Sequence, residues 1–382
     1  MNKEAQQLYI KNNLQNWISV LKQLNKAANF GLMQEKTVQI IKGFLARIGF
    51  EIIDFNNGII GVLKHGNSSR KLGLLAGIDA NNFEELNLVK HACGHDGETI
   101  MLLAACQYLS ETRNFNGTFY AIFQPSQINF KGAKYLIDQG MFNKINLDGL
   151  FSLKLIDINR TPNSGFSNFI IFDNKSKNDF KSATLNYQFF ASTSNVNAKI
   201  RKSNPLICAS NIILNLSSAC YGSDAILNVA NLTIDNLSTN AFNNDYYLSA
   251  SLQLSISCED DLVYEASLKR IKEIIINYAN IFNCAFKENL IQDSYNLRNN
   301  IKAISFANRV LINCFGQQNI KVIQDLVYKS DFSLYRKFTR SAIIFLENAN
   351  SIPMFDKDFY FLENQLPYGI SFNIEMVENF LK

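Results

Sequence analysis

Apolar residues recur at helical spacing from near the start of the chain. Leu8, Ile10, Leu14, Trp17, Leu21 and Leu24 fall on or near one face and predict a helix over 8–29. Val38, Ile41, Leu45 and Ile48 continue that spacing and predict a second helix over 34–48, stopped by Gly49. The period then changes. FEIIDF and IIGVLKH flank Asn56-Asn57-Gly58, so two β-rich runs around an Asn-Gly turn predict a hairpin. LGLLAGID (72–79), GTFYAIFQP (117–125) and GLFSLKLI (149–156) are unbroken apolar runs of strand length. GETIMLLAACQYLSET (97–112) and KGAKYLIDQGMF read as helices between them. This alternation predicts an α/β layer with a mostly parallel sheet.

Near 173–182 the chain becomes polar (DNKSKNDFKS) and the order changes. ATLNYQFFAST, AILNVANLTIDNL, YYLSASLQLSISC (246–258) and CAFKENL read as strands, and PLICASNIILNLSSACY (205–221) and DDLVYEASLKRIKEIIINYANIF (260–282) as helices. The succession is β-α-β-β-α-β, the ferredoxin-like order. From about residue 293 α/β character returns. The pattern predicts a discontinuous α/β domain, residues 1–178 and 292–382, and an inserted ferredoxin-like α+β domain, residues 179–291.

A chain of 382 residues, 47% hydrophobic, is long enough for this two-part arrangement and a sizeable core. The 37 Lys+Arg exceed the 33 Asp+Glu by four, with no dense basic block, which argues against a nucleic-acid partner. No apolar run reaches the ~18–20 residues that span a bilayer, and MNKEAQQLYIKNNLQNW lacks the apolar region of a signal peptide. Seven widely spaced Cys read as reduced thiols, hence a cytoplasmic protein. Cys106, Cys208, Cys220, Cys258, Cys284 and Cys314 have apolar neighbours and read as inert. There are 3 His: His65, His91 and His95. That count bars any chemistry needing His from several distant parts of the chain.

Two of the three lie in HACGHDGET, residues 91–99, at the predicted start of a helix. Cys93 and His95 are potential metal ligands, and the helix dipole there favours a thiolate. The residues alone leave two readings open: a metal or thiol site, or a buried Cys beside a capping Asp96 and a surface His.

The longer stretch HACGHDGETIMLLAACQYLSETRNFNGTFYAIFQPSQI resembles the metal-dependent aminoacylase and carboxypeptidase family, in particular its hippurate hydrolases, N-acyl-amino-acid amidohydrolases and plant auxin-conjugate hydrolases. There the text runs H-A-C-G-H-D-x-H, L-A-x-T-R-x-F-x-G-T and F-Q-P-A-E-E. More weakly, NPLICASNII (204–213) is similar to the first helix of the family's lid and SDFSLY (330–335) to its E-D-F-x-x-Y segment. The resemblance implies a catalytic α/β domain with an inserted lid that dimerises. It also implies hydrolysis of N-acyl amino acids or small peptides at two metal ions, usually zinc or manganese. Five protein ligands hold those metals: the Cys and second His of H-x-C-G-H-D, the second Glu of Q-P-x-E-E, a His on the next strand and a His near the C-terminus. The first Glu of the pair is the general base.

Carried over position by position, Cys93 and His95 are retained and the rest is replaced. Gln127 stands at the general base, and Ile128, Lys154 and Leu366 stand at the other ligands. The family's A-D-x-D reads AGID, with Gly77 for one Asp and Asp79 kept. The lid His that reaches a partner's site aligns with Asn195, and L-H-x-x-P-E reads Leu24-Asn25-Lys26-Ala27-Ala28-Asn29. A glutamine amide cannot take up a proton at neutral pH, and general-base catalysis is worth ~10²–10⁴ in rate. Ile128 has no lone pair, and an ammonium at 154 repels a dication. Two ligands fall short of the three or four protein ligands typical of zinc.

The expectation is a catalytically impaired homologue, a pseudoenzyme, with no cofactor, or zinc or manganese if any. Lys154 is expected to fill a metal's space and pair with a Cys93 thiolate or with Asp79. Asp79 and Asp96 are expected to cap or pair, His91 to be structural and His65 solvated. The implied partners are a small acyl-amino-acid or peptide ligand and a second chain, either a homodimer through the lid or a heterodimer with an active relative. No nucleic acid or membrane is implied. The alternative is an active hydrolase of N-acyl amino acids with a single metal at Cys93, His95 and Asp79.

Overall fold

The computed structural model is described over residues 3–157, 169–173, 181–191, 203–222, 227, 230–243, 246–258, 260–324 and 328–382. Its contacts divide the chain into two units: Met1–Lys175, Arg298–Leu326 and Ser330–Lys382 in the first, Ser176–Leu297 and Val327–Lys329 in the second.

The opening segment runs α1 (Lys3–Lys26), α2 (Glu35–Arg47), β1 (Glu51–Asp54), β2 (Ile59–His65), β3 (Lys71–Gly77), β4 (Asn81–Phe83), β5 (Leu88–Lys90) and α3 (His95–Thr112). It continues through β6 (Gly117–Gln124), α4 (Gly132–Asp138), α5 (Met141–Lys144), β7 (Gly149–Ile156) and β8 (Phe169–Asp173). The middle segment runs β9 (Lys181–Ala191), α6 (Pro205–Tyr221), β10 (Asn231–Asn243), β11 (Tyr246–Cys258), α7 (Asp261–Ile281) and β12 (Cys284–Tyr295). The chain ends in α8 (Ile301–Phe315), β13 (Ile320–Gln324), β14 (Ser341–Glu347) and α9 (Leu366–Phe380).

In the first unit eight strands form one sheet in the order β1-β2-β6-β3-β7-β14-β8-β13. The pairs among β6, β3, β7 and β14 are parallel. Every residue of β6, β7 and β14 is buried, because a parallel sheet is covered on both faces. That is why these strands read as continuous apolar runs rather than alternating ones. The hairpin of β1 and β2 closes with Phe55 N–H donating to Gly58 O at 3.0 Å, with Asn56 at φ 63°. Helices α3 and α9 pack on each other, with α1 and α8 beside them. Their apolar residues, Trp17, Leu21, Ile100, Leu103, Ile370 and Ile374 among them, join those of the sheet in one core.

Two expectations need correction. The single helix of KGAKYLIDQGMF is two, α4 and α5, because Gly140 adopts φ 77° between them. The first helix begins at Lys3 rather than residue 8, since its polar first turn carries no hydrophobic signal.

In the second unit the sheet order is β10-β11-β9-β12, antiparallel throughout. With α6 and α7 packed on it, this is the ferredoxin-like arrangement. One face of the sheet is buried: Ala183, Leu185, Tyr187 and Phe189 alternate inward along β9 and meet Ile212, Leu216, Ile271 and Ile275 of the helices. Asn204 caps α6 by accepting from Ile207 N–H, and Asp260 caps α7 by accepting from Leu262 and Val263 N–H.

Candidate functional site

In the first unit the parallel strands β3 and β6 end together, and the chain beyond each end carries the candidate residues. Clefts outside the carboxyl ends of parallel strands are where open α/β sheets place their sites. Asp79 follows β3, Gln127 and Ile128 follow β6, Lys154 projects from β7, and His91 and Cys93 lead into α3, which opens with His95, Asp96 and Glu98. The loop can turn into α3 only through Gly94. That residue has φ +79°, and a Cβ there would lie 2.4 Å from Leu155 Cδ1.

Asp79 is fully buried and organises one half of the cluster. Its Oδ2 accepts from Ile128 N–H at 3.0 Å. His95 Nδ1 lies 3.1 Å from its Oδ1 and 3.0 Å from its backbone oxygen. Cys93 Sγ is 3.5 Å from that same backbone oxygen. His95 is therefore buried, against the reading of a surface His. Asp96 pairs rather than caps: its Oδ2 accepts from Asn25 Nδ2 at 2.6 Å, and no side chain caps α3. His91 is buried with neither ring nitrogen in a hydrogen bond, and Asp96 Oδ1 also has no partner. His65 is exposed, its ring 5.8 Å from Phe115.

The electrostatics of this half follow from burial set against close neighbours. Burial raises the Cys93 thiol, but His95 and His91 outweigh it and the net shift is downward. Burial lowers His95; Cys93 overrides it with help from Glu98 and Asp79, while Lys154 opposes, and the ring is shifted well upward. Burial also lowers His91, and Cys93 and Asp96 reverse it. Asp96 is raised, chiefly by burial.

The other half centres on Lys154, which is 5% exposed. Its Nζ donates to Glu98 Oε2 at 2.9 Å and to Gln127 Oε1, and lies 3.3 Å from His95 Nε2. The last contact is a hydrogen bond in the tautomer that carries its proton on Nδ1. The second Glu98 oxygen accepts from Leu155 N–H at 3.0 Å. The expected partner of Lys154, a Cys93 thiolate or Asp79, is thus replaced by Glu98. Both of those groups are already engaged with His95, which stands between them and the ammonium. Glu98 was missed by sequence reasoning, yet a signal existed: the motif H-A-C-G-H-D-x-H ends in His where HACGHDGE ends in Glu98.

Beneath the cluster, Asp331 Oδ2 accepts from Ala133 N–H at 2.7 Å and from Gln124 Nε2 at 3.0 Å, and Tyr335 donates to Gln124 Oε1 at 2.7 Å. Burial pushes the Asp331 carboxyl up to about 7.

Leu366 does not join the group; it opens α9 and is fully buried in the apolar core. Asn195 lies outside the described residues. The donors present do not fit a two-metal cage. An ammonium already bonds Glu98 and Gln127, Ile128 contributes only its backbone, and no cluster of three or more His, Cys, Asp or Glu among the described residues is arranged to hold a metal ion.

Residues 80–379 match the family described as peptidase family M20/M25/M40. The chain is 27% identical over 379 residues to a hippurate hydrolase of Campylobacter jejuni, covering 94% of this chain and 95% of the relative. It is 22% identical to an IAA-amino acid hydrolase (ILR1-like 2) of Arabidopsis thaliana, covering 96% and 85%. Among solved structures, a putative aminohydrolase from Staphylococcus aureus superposes with TM-score 0.75 at 17% identity, covering 100% of both chains. The Bacillus subtilis protein YXEP, described as a dinuclear metal binding peptidase, superposes with TM-score 0.69 at 16% identity, covering 97% and 99%.

Proposed function

Taking as premise that the chain belongs to peptidase family M20/M25/M40, we propose that it is an amidohydrolase homologue that does not hydrolyse N-acyl amino acids or small peptides by a two-metal route. The observation that carries this reading is the buried Lys154 ammonium held by Glu98 at 2.9 Å, in the company of His95 and Gln127. A fixed cation at that point repels a dication at close range. Gln127, at the position of the general base, is turned to Lys154 by its oxygen and presents no basic atom to a water molecule. Ile128 directs its backbone N–H to Asp79 and adds no ligand.

The role that remains is binding. The ligand class is a small acyl-amino acid or peptide, the substrate class the resemblance implies, recognised without being cut. The same proposal includes a cytoplasmic location and self-association through the ferredoxin-like unit, as a homodimer or with an active relative.

One observation favours a second reading. His95 Nδ1 lies 3.1 Å from Asp79 Oδ1 and Cys93 Sγ 3.5 Å from the Asp79 backbone oxygen, and these three residues are the ones on which an active hydrolase of N-acyl amino acids would hold a single zinc or manganese ion.

Metal content and turnover separate the two. The purified chain is incubated with zinc or manganese and assayed on acetyl- and benzoyl-amino acids. The proposal expects neither stoichiometric metal nor hydrolysis above the protein-free rate. One metal per chain with turnover that Cys93→Ala abolishes would establish the second reading instead.

A further inference from the structure

We propose that Lys154 is a built-in cation: its ammonium holds together, from inside the chain, a pocket that a bound metal ion would otherwise assemble. The inference rests on the reading that no metal cage forms here, and it is tested by a different measurement.

Four positions support it, each on a different stretch of chain. Lys154 lies on β7 and Glu98 on α3, 5% and 3% exposed, and their ion pair at 2.9 Å is among the most buried in the structure. Either charge alone in that setting would be strongly unfavourable, so each requires the other. The carboxylate is used twice, since its second oxygen takes the N–H of Leu155. Glu98 therefore grips both the side chain of residue 154 and the backbone of residue 155, fixing α3 to β7.

Gln127, beyond β6, supplies a third contact through its carbonyl oxygen. Its neutrality matters. The ammonium's contacts then include one carboxylate, Glu98, and one neutral acceptor, Gln127. Gly77, at the end of β3, makes the room. A Cβ at that position would stand 2.3 Å from Gln127 Oε1 and 2.9 Å from His95 Nδ1. Any side chain at 77 would push Gln127 off the ammonium.

The Glu98 contact has the length of an ammonium's bond. Lys154 Nζ sits 2.9 Å from Glu98 Oε2, the length of a charge-assisted N–H···O bond. Zinc would need its oxygen and nitrogen ligands at about 2.0–2.2 Å.

The test is a double-mutant cycle on the full chain, read by thermal unfolding. Lys154→Met and Glu98→Gln are each expected to lower Tm by on the order of 5 °C or more, because each strands the other charge. The double variant is expected to lose much less than the sum of the two. Chelator should leave the wild-type Tm unchanged, and saturating zinc or manganese should not raise it. Additive losses would overturn the inference, as would a wild type that chelator destabilises or that metal stabilises by mass action. If a single variant does not fold, the double variant decides: a folded double supports the built-in cation and an unfolded one refutes it. Additive losses in the cycle, in a wild type that neither binds metal nor turns over substrate, would sink this inference while leaving the functional reading intact.

Discussion

Gln127 differs from glutamate by one amide group, and in this pocket that difference sets the charge count. Restoring the acid does not restore a base, because the new carboxylate would turn to Lys154 as the amide now does. Gln127→Glu is expected to leave hydrolysis of acyl-amino acids at the background rate. It should also destabilise the chain by about 1–3 kcal/mol, the cost of a second buried carboxylate sharing one ammonium. Urea unfolding and a turnover assay check both halves; an active, undamaged variant would show that the assignment of position 127 is wrong. At this scale much was legible in advance. The identities of Gln127, Ile128 and Lys154 are written in the chain, and the loss of basicity and of lone pairs follows from them alone. What sequence could not supply is the partner of Lys154. Glu98 lies 56 positions away, and no periodicity links a residue on α3 to one on β7.

At the level of elements, α3 is the piece on which the cluster depends: the twelve positions from His95 to Cys106 are buried in an unbroken run. Its length and type were readable from GETIMLLAACQYLSET. The parallel strands were readable too, since burial on both faces writes a continuous apolar run. The break between α4 and α5 was not, because the left-handed turn at Gly140 leaves the composition of the stretch helix-like. The ties between elements were also hidden. Asp331 joins the end of β6, through Gln124, to the start of α4, through Ala133 N–H. Its folded-state value of about 7 lies above its ordinary 3.8, because burial disfavours the carboxylate. A raised acid stabilises the fold while it is protonated. Its contribution is therefore full below about pH 4 and is lost as pH rises through about 7. Asp331→Asn should flatten that part of the stability profile. The check is Tm against pH from 4 to 8 for both proteins; equal slopes would contradict it.

For the whole molecule, the family match spans residues 80–379 and agrees with the resemblance first carried by HACGHDGET. The scarcity of histidine has acquired a location. Two of three lie in the one stretch HACGHDGET, and Lys154 and Leu366 occupy places where the resemblance expects two more. The family's architecture is kept, and the proposal places an internal ion pair at its centre where the resemblance expects metal. A crystal structure grown with zinc at saturating concentration tests that claim most directly. The account predicts no anomalous peak in the pocket and Lys154 Nζ within hydrogen-bond distance of Glu98 and Gln127. A strong anomalous peak between Cys93 and His95, with Lys154 swung away from Glu98, would contradict it.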